Sequence, residues 1–263
     1  MYDEKYEKLK FTNDFMFSKV MRDATLCQKL LEVILNLKID HIEYPEEQKT
    51  IDLSLDSKSI RLDVYAKDTN NTVYNIEMQT TNPKNLPKRS RYYQGMIDLN
   101  LIEKGENYNK LNKSYVIFIC TEDFFGLGRH IYTFKNLCVE DPTLVLGDET
   151  IKVFLNASSI VDDIDTELAN FLSYVSTGEP KDKFTKDLES ALEAARNNEE
   201  WRREYMTLHM REQEIREEGK LQLDIFKELI NRLLSANRIA DAQLAATDED
   251  AKERLLKEFG LSK

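Results

Sequence analysis

The stretch RLDVYAKDTNNTVYNIEMQT, residues 61 to 80, constrains the fold more than any other part of the chain. RLDVYAK and VYNIEMQ each alternate apolar with polar residues, the period of a β-strand with two unlike faces. The DTNNT between them is rich in the Asp and Asn that favour tight turns. A five-residue loop makes Lys67 face Val73, and counting outward sets Asp63 opposite Glu77 and Gln79 opposite Arg61. In that register Leu62, Val64 and Ala66 share a face with Tyr74, Ile76 and Met78. Arg61, Asp63 and Tyr65 share the other with Asn75, Glu77 and Gln79. A slip of one residue would mix the two sets, so the pattern itself supports the register.

Two carboxylates facing each other repel by up to about 1 kcal/mol, and a divalent cation between them reverses the sign. Hard oxygen ligands of this type suit Mg²⁺, Mn²⁺ or Ca²⁺. The same pattern also describes an ordinary amphipathic hairpin with a solvated acidic face, and the hairpin alone leaves both readings open.

Around it, FTNDFMFSKVM (Phe11 to Met21) reads as a short helix capped by Thr12 or Asn13, with Phe15, Met16 and Val20 as its stripe. A second helix is expected over Leu26 to Lys38, where Leu30, Leu31, Ile34 and Leu35 recur at helical spacing; it carries Glu32. Thr50 to Leu55 alternates as a strand. After the hairpin, two prolines delay a helix expected from Lys88 to Lys104, with Gly105 as its stop. Lys84, Lys88, Arg89 and Arg91 at its start form the densest basic patch in the chain. SYVIFIC (Ser114 to Cys120) is apolar nearly throughout, as in a strand covered on both faces. His130 to Cys138 is a further strand candidate, and TLVLG with TIKVFLN reads as a hairpin about Gly147-Asp148-Glu149. Asp165 to Pro180 is a helix closed by Gly178 and Pro180, where a domain boundary is expected: 1–180 and a charged helical region, 181–263. In the latter, Ile225, Phe226, Leu229, Ile230 and Leu233 form an apolar stripe, and Thr247 with Asp250 resembles a capping box.

Composition removes several function classes. Cys27, Cys120 and Cys138 form no C-x-x-C pair, and His41, His130 and His209 assemble no zinc or histidine-nuclease motif. A net charge of −11 argues against a general positive field for nucleic acid, so such a partner must be held by a local patch. No apolar run reaches membrane-spanning length and the N-terminus has no signal-peptide core, so a cytoplasmic location without membrane contact is expected.

Helices, a strand, an Asp strand, a Glu-x-Gln strand, a basic helix and an apolar strand follow in an order that matches an α/β restriction-endonuclease-like core, a mixed central sheet flanked by helices, here with a helical C-terminal extension. Through FTNDFMFSKVM, RLDVYAKD, YNIEMQT, LPKRSRYYQGMIDL, KGENY and KSYVIFIC, the chain resembles the Rpn family of recombination-promoting nucleases and transposases in the PD-(D/E)XK superfamily. The resemblance implies a metal-dependent DNA endonuclease of low sequence specificity, linked to recombination or mobile elements, with Asp63 and Glu77 holding Mg²⁺ and the Met78 carbonyl as a further ligand. The third superfamily position is usually Lys; here it is Gln79, which can orient water or phosphate but brings no charge. That charge falls to Arg61, Lys88, Arg89 or Arg91, candidates also for DNA contact. Glu32, and after it Asp14, are candidates for an auxiliary acidic ligand from an early helix. Tyr92, Tyr93 and Gln94 lie where substrate contact or core packing would both suit them. Two alternatives stand beside this reading: a nuclease-fold binding or regulatory module that cleaves nothing, and an assembly platform in which the C-terminal helices self-associate.

Overall fold

A computed structural model describes residues 6–44, 50–51, 60–82 and 84–261. The chain divides into two compact units, Met1–Trp201 and Arg202–Lys263.

In the first unit, α1 (Asp14–Val20) begins where the Asn13 side chain accepts from the Met16 amide. It buries Phe15, Met16, Phe17 and Val20. Asp23 caps α2 (Ala24–Leu35) in the same way, accepting from the amides of Thr25 and Leu26. Asn36 ends this helix at φ 49°, three residues' worth of sequence before the expected stop, because the left-handed residue cannot continue it. Aromatic rings tie the early chain to the later helices α4 (Thr166–Thr177) and α5 (Lys183–Arg196). Phe11 meets Phe171 edge-on at 6.4 Å, and the Tyr6 hydroxyl donates to the Ala195 carbonyl. α5, which follows the shift in composition at Pro180, packs against α1, α2 and α4.

The central sheet has six strands in the order β1 (Ile42–Glu43), β4 (Val64–Asp68), β5 (Val73–Gln79), β6 (Ser114–Cys120), β8 (Thr150–Asn156) and β7 (Ile131–Phe134). β5, β6 and β8 run parallel; the flanking pairs are antiparallel. Every residue of β5 and β6 is buried. One face lies under α1 and its neighbours. The other lies under α3 (Leu86–Leu101), whose Tyr93, Met96 and Ile97 join Leu62, Tyr65, Val116, Phe118 and Phe154 in one core. β5 is buried on both faces, contrary to the amphipathic reading, because α3 roofs the face that carries Glu77.

Three further expectations are corrected, and a fourth falls mostly outside the described residues. Pro87 falls within the first turn of α3 rather than before it, where its missing amide costs nothing, and the helix ends at Leu101. β8 pairs with β6 and β7 instead of with residues 143–147, of which only Val145 makes a bridge, to Leu137. The strand expected over Thr50 to Leu55 is described only at β2 (Thr50–Ile51), which pairs with β3 (Ile60–Arg61) in a separate ladder; residues 52–55 lie outside the described residues. The last cap is Asp248, which accepts from the Ala251 amide, while Thr247 bonds back to the Gln243 carbonyl.

In the second unit, the C-terminal part of α6 (Glu199–Ser235) buries Leu229 and Leu233 with Ala242 and Ala245 of α7 (Ile239–Thr247) and Ala251 and Leu255 of α8 (Glu249–Glu258). Phe226 and Ile230 pack at the rim of this core, so the apolar stripe read from the sequence is its seam. No helix among the described residues is long and apolar enough to cross a membrane.

Candidate functional site

The hairpin is locked at its turn. Asp68 Oδ1 accepts from the amides of Asn70 (2.9 Å) and Thr72 (2.8 Å), and its Oδ2 accepts from the Tyr74 hydroxyl at 2.8 Å. The ladder then pairs Lys67 with Val73 and Val64 with Ile76, the register expected from the alternation. Beyond Val64 it stops. Asp63 sits in a bend instead of a strand, so Asp63 and Glu77 meet through side chains rather than as ladder partners. The Met78 amide donates to Asp63 Oδ2 at 2.9 Å, and the Asp63 amide donates to Glu77 Oε1 at 3.3 Å. Each carboxylate thus holds the backbone that carries the other. Arg61 pairs with Thr50, not with Gln79.

Glu77 is 4 % exposed. Burial, and then the charge of Asp63, push its carboxyl well above the ordinary carboxylate range; the Asp63 amide, Asn75 and Arg89 oppose this only in part. The Arg89 guanidinium lies beside it, its Nη2 3.8 Å from Glu77 Oε2. Arg89 is itself held on three sides. Its Nη1 donates to Gln79 Oε1 at 2.7 Å, its Nη2 donates to the Tyr93 hydroxyl at 3.0 Å, and the guanidinium lies 5.4 Å from the Phe118 ring centre. Gln79 turns its amide nitrogen to Thr81, donating to the carbonyl (2.7 Å) and hydroxyl (3.0 Å).

A family model, PD-(D/E)XK nuclease family transposase, matches residues 11–220, a span that takes in Asp63, Glu77, the roofing helix and β6. The chain belongs to this family. No curated protein and no solved structure matches it. Nucleases of the PD-(D/E)XK type generally use divalent metal ions, so the residues present can be tested against such an ion.

Among the described residues no three His, Cys, Asp or Glu side chains gather as a ready metal cluster. The pair Asp63 and Glu77 nevertheless fits a hard cation. Both are oxygen donors, their mutual repulsion is opposed only in part, and the buried amide of Asn75 on the same face of β5 has no hydrogen bond of normal geometry at either its nitrogen or its oxygen. Buried polar atoms left unmatched beside a charged pair are what a hydrated ion would satisfy.

The other candidates from the sequence are placed as follows. Lys88 and Arg91 are exposed on the first turns of the roofing helix, beside Arg89. The Glu32 carboxylate accepts from the Ile39 amide at 3.0 Å and faces Lys38 at 3.6 Å, which fixes the turn after α2. Asp14 accepts from the Phe15 amide at the start of α1. Gln94 is buried and donates to Asp98 and Ser114. Sequence reasoning assigned no role to Asn75, although its parity with Glu77 and Gln79 already set it on their face. The pairing of Arg89 with Tyr93, one helical turn apart, was equally available as an i, i+4 relation.

Proposed function

We propose that this chain is a Mg²⁺-dependent DNA endonuclease of low sequence specificity, linked to recombination or mobile elements. The observation that carries the reading is the interlocked pair Asp63 and Glu77, each carboxylate accepting from the backbone that carries the other. These two side chains would hold the divalent cation, with the Met78 carbonyl as a further ligand. When bound, the cation supplies Lewis-acid stabilisation of phosphoryl charge and a water made nucleophilic near neutral pH.

The chain's own groups do the rest. Arg89 offers a permanent positive charge where the commoner superfamily pattern has lysine, and Gln79 and Tyr93 keep its guanidinium from collapsing onto Glu77. A fixed, partly buried donor of this kind stabilises developing negative charge without reorganisation during the reaction. Gln79 acts through Arg89 and is a positioning residue. Lys88 and Arg91, exposed on the same helix, are suited to the flanking phosphates, contacts that carry no sequence information. With a net charge of −11, this local patch supplies the attraction that the molecule as a whole does not.

The test is nicking of supercoiled plasmid with and without Mg²⁺, comparing the native chain with Asp63→Ala and Glu77→Ala. Metal-dependent nicking lost in both variants is the expected result; equal activity in all three proteins refutes the assignment.

A second reading is favoured by the two-carboxylate site and the glutamine at the third position: a nuclease-fold module that recognises DNA without cutting it. Calorimetry separates the two, since this module would show no divalent-metal binding up to millimolar concentration.

A further inference from the structure

The N-terminal half of α3 has two working sides. Arg89 and Tyr93 point to the carboxylates, whereas Pro87, Ser90 and Arg91 line a separate cavity of about 420 Å³. Its other walls are Phe125, Phe134, Lys135, Asn136, Thr150, Lys152 and Phe154. Three cations and three phenylalanines meet there, and no carboxylate lines it, in a chain that is acidic overall.

The aromatic part is a built platform. Phe125, Phe134 and Phe154 lie within 5.2–5.7 Å of one another, and Phe125 is fixed from behind by its amide donating to Asp123. Phe134 remains 44 % exposed. The polar part is also organised: Asn136 and Thr150 both donate to Asp148 Oδ2, at 2.6 and 2.7 Å, which orients them at the rim. Asp98 and Asp148 are close enough to feel the charge of Lys152, so among the described residues the positive charge left for a ligand is that of Arg91 and Lys135. That suits one phosphate better than a long run of duplex.

Packed rings link the wall of the cavity to the candidate site. Phe154 stacks on Phe118 at 5.4 Å and 7°, and Phe118 carries the Arg89 guanidinium at 5.4 Å. A strand whose phosphate reached Arg89 would bring a neighbouring nucleotide to this second opening.

We propose that the cavity takes one unstacked nucleotide of the substrate strand, its base on the exposed ring of Phe134 and its phosphate on Arg91 and Lys135. Aromatic rings beside cations bind unpaired bases without regard to their identity, because every base has a π-face. The proposal rests on the nuclease reading and deepens it: the preferred DNA carries an unpaired nucleotide, such as a bulge, a flap or a single strand.

The test reads binding and needs no chemistry. Fluorescence anisotropy in EDTA compares a labelled oligothymidylate and a blunt duplex, on the native chain and on Phe134→Ala. The native chain should prefer the oligothymidylate, and Phe134→Ala should weaken that binding by roughly 5- to 100-fold while leaving the duplex unchanged. Unchanged affinity for oligothymidylate in Phe134→Ala, or no preference for it in the native chain, overturns the proposal. A second variant guards against misfolding: Phe134→Trp keeps a large ring, and its fluorescence should be quenched by oligothymidylate above the background of Trp201, the sole tryptophan of the native chain. Absence of quenching is equally adverse. A chain that binds in this way but never nicks plasmid sinks the nuclease reading and keeps the cavity. One that nicks plasmid but binds oligothymidylate equally well with and without Phe134 does the reverse.

Discussion

Arg89 donates from Nη1 to the side-chain oxygen of Gln79 at 2.7 Å, joining the first turns of the roofing helix to the end of the strand that carries Glu77. On the proposed reading the pair divides between two residues what a single lysine supplies in the commoner pattern, one giving the charge and the other its position.

The first prediction follows from that division. Arg89→Gln should lower plasmid nicking by about 100-fold, the effect of losing one preorganised donor. Gln79→Lys in the native background sets an ammonium beside the guanidinium and should retain only part of the activity. The double variant Gln79→Lys with Arg89→Gln restores a single cation at the strand position and should be more active than Arg89→Gln alone. Strict multiplicativity of the two effects in this cycle would show that the residues act independently.

The buried acid gives the second. Folding favours the proton on Glu77, because burial and Asp63 both raise its carboxyl, so this group costs stability as pH rises past the ordinary carboxylate range. In EDTA at pH 8, Glu77→Gln should therefore melt higher than the native chain, by about 2–4 °C per kcal/mol recovered. Added Mg²⁺ should raise the native melting point and leave that of Glu77→Gln nearly fixed. A variant that melts lower in EDTA argues that the carboxylate is well satisfied without a cation.

Asp68 concerns the scaffold. It accepts three hydrogen bonds at the hairpin turn, so Asp68→Ala should cost about 2 kcal/mol or more in urea unfolding. Because the turn sets the register that brings Asp63 to Glu77, Mg²⁺ affinity should fall with it. Unaltered stability would mean that the apolar alternation fixes the hairpin alone.

The cysteines offer a check on burial. Burial pushes the Cys27 thiol up to about 11 and the Cys120 thiol up to about 12, so both remain protonated at pH 8. Cys138, partly exposed, should be the one site labelled by iodoacetamide in the native state, with the other two reacting only in denaturant. Mass spectrometry of the labelled chain reads this directly, and rapid modification of Cys120 would contradict the packing under α3.

Much of the core was readable from residue order because its signals are local. The turn residues and the alternation around them fixed Lys67 opposite Val73, and the caps at Asn13 and Asp165 lie where short polar side chains precede apolar stripes. What failed depends on distant chain. Whether the acidic face of the hairpin is wet depends on Tyr93, Met96 and Ile97, which arrive from a helix whose crossing no periodicity encodes. The bend at Asp63 arises from side chain to backbone bonds that replace the ladder, a competition the alternating pattern does not register. Arg89 could be named only as one of several cations in a row, since its orientation toward Gln79 depends on how α3 lies across the sheet. The partner of β8 was misjudged for a similar reason: proximity in sequence favoured residues 143–147, and the long-range parallel pairing with β6 prevailed.

That parallel pairing bears on the order in which the molecule is made. β4 and β5 can close as a hairpin as soon as they leave the ribosome, yet β5 is flanked on its other edge by β6, which follows only after the whole of α3. Parallel neighbours need such a crossover and close slowly, since loop entropy is lost before their contacts form. Phe118, the ladder partner of Glu77 and the ring on which Arg89 rests, is in place only once that crossover is complete. On the proposed reading, a nascent chain therefore carries both carboxylates before β6 is in place beside them, and the site is complete only once synthesis has passed β6.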